Sequence, residues 1–287
     1  MTKLAVADNL LDNLKSNEAF PIIQPILEEF EGVYSGIMTD INQIQVGYNA
    51  YKLMSMYYRI THNYKESIEF LNKAQKLLQN HHNNFISETG GFINYEYALN
   101  DIMQASCYDC WGSEFFIGKM TADDALKKFE EAQRKAYSAL LKYLDIPSNN
   151  QQLHLSELYI IIASSLACTM KIKNETKQSL ATMVLDNLQR ADECLDKVTD
   201  QNNIMKVCEL RIEEALACKS LKDTKKYVSY MALAESNDYW NECSTFLQVP
   251  CTQTYYVVSQ DGYSIEPKDL TWNEATKLGG DDDYIYI

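Results

Sequence analysis

Three sets of residues in this chain have types and spacing that could do chemistry. They are the pair Cys107-Tyr-Asp-Cys110, the histidines at 62, 81, 82 and 154, and adjacent carboxylates such as Glu28-Glu29, Glu130-Glu131 and Glu213-Glu214. A CxxC supplies half of a tetrahedral zinc site or a redox pair. Here no second CxxC or spaced histidine pair completes four ligands, and His81 and His82, as neighbours on a helix, point about 100° apart. A redox CxxC works from a helix N-terminus in a strand–helix–strand setting, which the flanking sequence lacks. Cysteines at i and i+3 on one helical face read instead as small apolar core residues. The histidines fall in polar turns or at a helix start, and no GxSxG elbow offers a nucleophile. Gly90-Gly91 and Gly279-Gly280 lack the strand-to-helix context of a phosphate cradle. The carboxylate pairs stand beside lysines, as on solvated helix faces, and the Glu-x-x-His spacing of a carboxylate-bridged metal bundle does not occur. The chain is expected to be no enzyme, with no catalytic residues, no metal and no cofactor.

The elements that would position any site are helices. Of 287 residues, 46% are apolar and 23% charged, and only five are proline and ten glycine, so long uninterrupted helices are permitted. A net charge of −14 excludes nucleic acid and anionic membrane surfaces as main partners, since both need clustered Lys and Arg. The longest uncharged stretch, Leu158 to Met170, is shorter than the roughly 20 residues a membrane span requires. The start of the chain acquires an acid at Asp8 and does not look like a secretory signal. Eight scattered cysteines in a chain able to build its own core point to a reducing, cytoplasmic or otherwise intracellular setting.

Thr121-Ala-Asp-Asp is a capping box that opens a helix with apolar positions Ala125, Phe129, Ala132, Ala136, Leu140 and Leu144, stopped by Ile146-Pro147. Leu180, Val184, Leu188, Ala191 and Leu195 repeat the pattern in 175–199. The segment 153–172 is apolar around most of its circumference and should sit centrally. The stretch 37–60, the polar turn Thr61-His62-Asn63 and the helix from Tyr64 form a helical hairpin. Further helices are expected over 94–117, 203–220 and 223–246, and a short N-terminal helix over 2–15 precedes another with Pro25 in its first turn. Three regions result: N-terminal short helices (1–36), a helical-hairpin domain (37–249), and an acidic, tyrosine-rich C-terminal arm (250–287). In the arm 252–265 reads as a small hairpin or extended strand, and from residue 250 onward seven acids face two lysines.

Tyr51, Met54, Ser55, Tyr58, Tyr64, Ser67, Leu71 and Ala74 fall at the spacings of a tetratricopeptide motif, and small-x₃-large-x₂-Ala recurs at Ala125, Phe129, Ala132. Looser versions occur at 184, 188, 191 and at 227, 231, 234. The chain thus resembles tetratricopeptide-like helical-repeat proteins, best over 51–74; the repeat starts lie 58, 59 and 43 residues apart, against about 34 in that family. The resemblance implies an all-α fold of antiparallel helical hairpins stacked as a solenoid or irregular bundle, with a groove for a protein or peptide. The acidic surface favours a basic partner. Candidate contact residues are Arg59 and Asn63 at the end of the first repeat-like helix, and Tyr255, Tyr256, Tyr284, Ile285, Tyr286 and Ile287 in the arm, whose alternation suits β-augmentation. The expected role is a non-enzymatic scaffold, adaptor or assembly subunit; the alternative is a structural component of a large complex such as a virion or organellar assembly, its arm threading into a neighbour, and a third reading is an enzyme with an all-α bundle site.

Overall fold

Most of the chain is helix, and successive helices pack against one another. The computed structural model describes residues 2–33, 40–83, 93–143, 151–200, 203–258, 265–278 and 285–286. Among these, α3 (Ile41–Ile60) and α4 (Tyr64–Asn80) form the first full hairpin. Asp40 caps α3 by accepting from the Asn42 amide at 2.9 Å. The turn closes with His62 at φ 60°, which lets the Asn63 amide reach the Tyr58 carbonyl at 2.7 Å. Ser55 and Ser67, 2% and 0% exposed, bring the two helices together: their hydroxyls are 2.9 Å apart, and Ser67 Oγ also donates to the Ser55 carbonyl at 2.9 Å. Small residues here permit close approach, while Tyr51, Met54, Leu71 and Ala74 fill the flanks as buried residues.

Further helix pairs follow: α5 (Ile93–Ser113) and α6 (Ala122–Tyr143), linked through a 3-10 helix at Glu114–Ile117, then α7 (Gln151–Lys173) and α8 (Gln178–Leu195), then α9 (Ile204–Ser220) and α10 (Thr224–Glu235). The second helix of one hairpin packs on the first of the next in α4–α5 and α6–α7, and α5 and α9 both pack on α7. Buried apolar residues gather in successive clusters, the largest around Ile23, Tyr48 and Leu78, around Ile102, Tyr143 and Leu158, and around Leu188, Ile212 and Met231. As its all-round apolar sequence implies, α7 is central. It is the one helix among the described residues long and apolar enough to cross a bilayer, and 72% of that window is buried inside the protein. The Thr121 box forms as expected, with the Asp124 amide donating to Thr121 Oγ1 at 3.2 Å and the hydroxyl donating to the Asp124 carboxylate at 2.8 Å.

Three expectations are corrected. The helix expected to begin near Pro25 starts at Ser16: α2 (Ser16–Val33) follows α1 (Lys3–Asp12) and carries Pro21 and Pro25 inside it. Each proline removes an intrahelical hydrogen bond, but Ala19, Ile23, Leu27 and Phe30 form one buried stripe that burial holds in register. The single helix expected over 223–246 is two, α10 and α11 (Trp240–Phe246). The side chain of Asn237 breaks it by accepting from the Tyr239 amide at 3.0 Å and donating to the Ile204 carbonyl at 3.1 Å, a local turn that outcompetes the helix. Finally, the segment after Pro250 is more than a short hairpin. β1 (Thr252–Val258) pairs antiparallel with β2 (Ile265–Thr271) from Thr252↔Thr271 to Val258↔Ile265, and α12 (Trp272–Leu278) follows. Leu270, Trp272 and Ala275 are buried in the same core as Met231 and Ala234, and Trp272 Nε1 donates to the Pro250 carbonyl at 3.0 Å. On the other edge of β1, β3 (Ile285–Tyr286) pairs through Tyr256↔Tyr286 and Val257↔Ile285.

Gly47 shows how closely α2 meets α3. A Cβ built there would lie 2.2 Å from Phe30 Cζ, and that ring is 4% exposed and packed edge-on against Tyr51. Gly47→Ala is expected to destabilise the protein by about 1–3 kcal/mol through overpacking, against a helix-propensity gain of about 1 kcal/mol. Urea unfolding measures the difference, and an unchanged or raised midpoint would show that Phe30 moves freely.

Candidate functional site

Helical periodicity brings the polar residues of four hairpins to one place. Lys52, Ser55, Met56 and Arg59 share one face of α3, and Tyr95, Leu99, Ile102, Met103 and Ser106 one face of α5. Facing them are Leu153, His154 and Glu157 of α7, and Met205, Lys206 and Glu209 of α9. Asp8, Leu11 and Asp12 of α1 and Cys243 and Phe246 of α11 complete the walls of a cavity of about 370 Å³.

Ion pairs connect these helices. Arg59 Nη1 reaches Glu209 Oε1 at 3.5 Å, a contact between residues 150 apart in sequence, and donates to Ser106 Oγ at 3.2 Å. Lys206 Nζ bridges Glu157 at 3.0 Å and Glu209 at 3.3 Å. Lys52 Nζ meets Glu96 at 3.4 Å and lies 4.9 Å over the Tyr48 ring. Burial opposes charge on Arg59, Lys206 and Glu209, but their partners prevail. Glu209 and Glu157 hold Arg59 and Lys206 above their ordinary values, while Lys206 and Arg59 hold Glu209 below its own. Burial lowers His154, whose Nδ1 is 2.5 Å from the Tyr143 hydroxyl.

Asp8 and Asp12 differ from the rest. Neither carboxylate makes a hydrogen bond or ion pair among the described residues, although both line the cavity. Both side chains are exposed; partial desolvation beside the cavity pushes Asp12 up to about 6, with Asp8 and Glu209 adding to it and Lys206 and Arg59 opposing from beyond contact distance, while Lys52 opposes the rise on Asp8.

Of the residues singled out in the sequence, Arg59 and His154 line this cavity. Asn63 does not line it: it sits in the α3–α4 turn, exposed, with its amide donating to the Thr61 carbonyl at 3.2 Å and hydroxyl at 3.1 Å. Tyr255 and Tyr256 are on β1, Ile285 and Tyr286 on β3, and Tyr284 and Ile287 lie outside the described residues. Cys107 is fully buried, its thiol 3.5 Å from the Tyr64 carbonyl and pushed up to about 11 by burial. Among the described residues, no three His, Cys, Asp or Glu side chains form a metal-binding group. The reading of Glu213-Glu214 as a solvated face is corrected: Glu214 is 0% exposed and held by Arg211 at 2.9 Å, and Glu213 is half-buried and close enough to Glu209 for their charges to interact. Lys52, Glu157, Lys206 and Glu209 were missed because charged residues on a helix normally face water. The usable signal was the i, i+7 spacing of Lys52 and Arg59 on a helix whose other face is also apolar. No family model, curated protein or solved structure matches the chain, so the cavity's own geometry carries the functional reading.

Proposed function

We propose that this protein is a non-enzymatic protein–protein interaction module, a tetratricopeptide-like stack of helical hairpins serving as a scaffold, adaptor or assembly subunit. A segment of a basic partner enters the groove at the α3–α5–α7–α9 cavity. The observation that supports this most is the cavity itself, where one face from each of four hairpins converges with charged groups held in fixed pairs. The overall charge of −14 favours a basic partner, and eight unpaired cysteines fit an intracellular setting. The alternative, a structural component whose arm adds to a neighbour, draws support from β1, whose outer edge pairs with β3 through Tyr256 and Val257 among the described residues, a strand edge of the kind that β-augmentation uses.

The two routes separate in a pull-down from native lysate with three full-length or nearly full-length proteins. Met56→Trp fills the cavity, and removal of residues 279–287 deletes β3 while leaving the Trp272 anchor in place. Partner capture is expected to fall about tenfold or more with Met56→Trp and to persist without the tail. Capture lost only with the tail would transfer the reading to the arm, and capture unaffected by either change would remove both. Circular dichroism confirms that each variant keeps its helices.

A further inference from the structure

We propose that the end of the stack where α5, α7 and α9 turn into the helices that follow them is a docking surface for an acidic segment of a partner protein. It is a second surface, separate from the cavity and opposite in charge to the chain as a whole.

Contacts between the helices place these turns side by side. Lys52 and Arg59 of α3 meet Glu96 and Ser106 of α5, and Tyr95 and Asp109 of α5 meet His154 and Ser164 of α7. Glu157 and Cys168 of α7 in turn face Lys206 and Ser220 of α9. In every pair the positions rise together, so these helices run parallel and their C-terminal ends lie at one end of the stack. The turns that follow are built alike. The amides of Lys119, Glu175 and Asp223 each bond the carbonyl five residues earlier, with Gly118, Asn174 and Lys222 in the left-handed region. Lys171 Nζ lies 4.6 Å over the Phe116 ring, which joins the end of α7 to the 3-10 turn before α6.

Charge decides the sign of the partner. Segments 114–128, 171–177 and 219–226 hold ten lysines against five acids, a net of +5 in a chain of −14, so the rest of the chain carries −19. Lys128, Lys171, Lys173, Lys219, Lys222 and Lys226 have no carboxylate within ion-pair distance among the described residues. Rings hold three of these ammonium groups in place without neutralising them: Lys128 Nζ is 3.6 Å from the Trp111 centroid, Lys171 lies over Phe116, and Lys219 Nζ is 5.1 Å from the Tyr227 centroid. Helix stability does not account for the whole set. The lysines that end α7 and α9 complement the helix dipole, but Lys225 and Lys226 stand in the first turn of α10, where a cation is disfavoured.

Apolar lining favours a polypeptide over a phosphate backbone. Phe116 and Ile117, 39% and 57% exposed, stand among the lysines, and a hollow of about 300 Å³ opens between Trp111, Met120 and Lys128. These give apolar side chains a seat. The five acids interrupt the positive surface, so a continuous row of phosphates would meet them, whereas a peptide can set uncharged residues against them. Packed helices lie about 8–10 Å apart, so three turns span about 20 Å, the length of about six extended residues.

Calorimetric titration of the full chain with the capped hexapeptide acetyl-Glu-Asp-Phe-Glu-Asp-Leu-amide tests this. The other probes are its amide isostere acetyl-Gln-Asn-Phe-Gln-Asn-Leu-amide, a thymidine hexanucleotide and phosphatidylserine vesicles. The acidic peptide is expected to bind saturably, about tenfold or more tightly than the isostere, and to weaken about tenfold between ~20 and ~200 mM salt. Lys173→Gln with Lys222→Gln and Lys226→Gln should weaken it by about tenfold or more. Lys3→Gln with Lys15→Gln and Lys76→Gln changes the net charge equally from α1, the turn after it and α4, and should weaken it by less than about twofold. All six lysines are exposed, so both variants should keep the fold, which circular dichroism checks. Equal binding of the isostere, equal effects of the two triple substitutions, or no saturable binding of the acidic peptide would each overturn the proposal. Tighter binding of the hexanucleotide or the vesicles would overturn it in favour of a nucleic acid or a membrane surface. Self-association of the chain that salt suppresses and removal of residues 279–287 abolishes would overturn it in favour of a second copy's acidic arm.

Discussion

Replacing Asp101 by alanine is expected to cost the fold about 3–5 kcal/mol at neutral pH, the range for removing one member of a buried ionic cluster. Asp101 is 3% exposed on α5, and its carboxylate fastens two turns of α6. Oδ1 takes Lys135 Nζ at 3.0 Å, and Oδ2 takes Ser138 Oγ at 2.9 Å and Lys142 Nζ at 2.5 Å. Positions 135, 138 and 142 lie on one face of α6, so a single side chain sets the register of that hairpin. Lys142 can turn to solvent when the acid is removed, but Lys135, with 12% of its side chain exposed, would be left as an uncompensated charge. Asp101→Asn keeps an acceptor for Ser138 and should fall between wild type and alanine. Burial raises the Asp101 carboxyl, yet the Lys142 and Lys135 interactions outweigh it and hold the group below its ordinary value. The stability it contributes is therefore present above the unfolded carboxylate range near 4 and is lost as pH falls through the folded value. Urea midpoints at neutral and acidic pH check both points. A wild-type midpoint for Asp101→Ala at pH 7 would show that the cluster contributes nothing.

Glu213→Gln is expected to act in the opposite direction, stabilising the protein as pH rises. Burial pushes Glu213 up to about 8, and Glu209, Glu157 and Asp109 add to it while Lys206 opposes. Asp109 is itself pushed up to about 7 by burial, against the hydrogen bond it receives from Ser164 at 3.0 Å. A carboxyl whose folded value lies above its unfolded one binds more protons in the folded state between the two. Stability from such a group is full below about 4.5 and declines as pH climbs through about 8. Glutamine mimics the protonated acid, so the two proteins should match near pH 5. The variant should be the more stable by about 2–3 kcal/mol near pH 9, a figure reduced from 1.36 kcal/mol per unit because Glu213 is only half-buried. The readout is the difference in unfolding free energy across that range. A difference that stays constant with pH would mean that Glu213 ionises in the fold as it does in water.

Much of the hairpin pattern was legible because it is local. Apolar residues at i, i+4 and i+7 locate α4, α6 and α8 by their own repetition, and the Thr121 box marks a helix start through bonds made within three residues. The places where the expectation failed are those where a distant group intervened. Asn237 breaks the last long helix in part by reaching the Ile204 carbonyl, and Pro21 and Pro25 are tolerated because α3 buries the stripe beside them. The candidate site was legible at Arg59 alone. Its partner Glu209 lies 150 residues away, and spacing along the chain carries no sign of that pairing.

The sequence by itself determined that this chain is mostly helical, that its helices fold back in pairs, and that its charge is strongly negative. Each follows from composition or from contacts a few residues apart. Only the tertiary structure decided which polar faces meet water and which meet one another. On α3, α7 and α9 both sides of the helix touch protein, so Arg59, Glu157, Lys206 and Glu209, with the charged pattern of a solvated face, close around a cavity instead. The physical reason is that amphipathicity records two unlike faces of a helix but leaves open what covers the polar one. That is set by the hairpins stacked beside it and, at this cavity, by an N-terminal helix that brings two unpaired carboxylates to its wall.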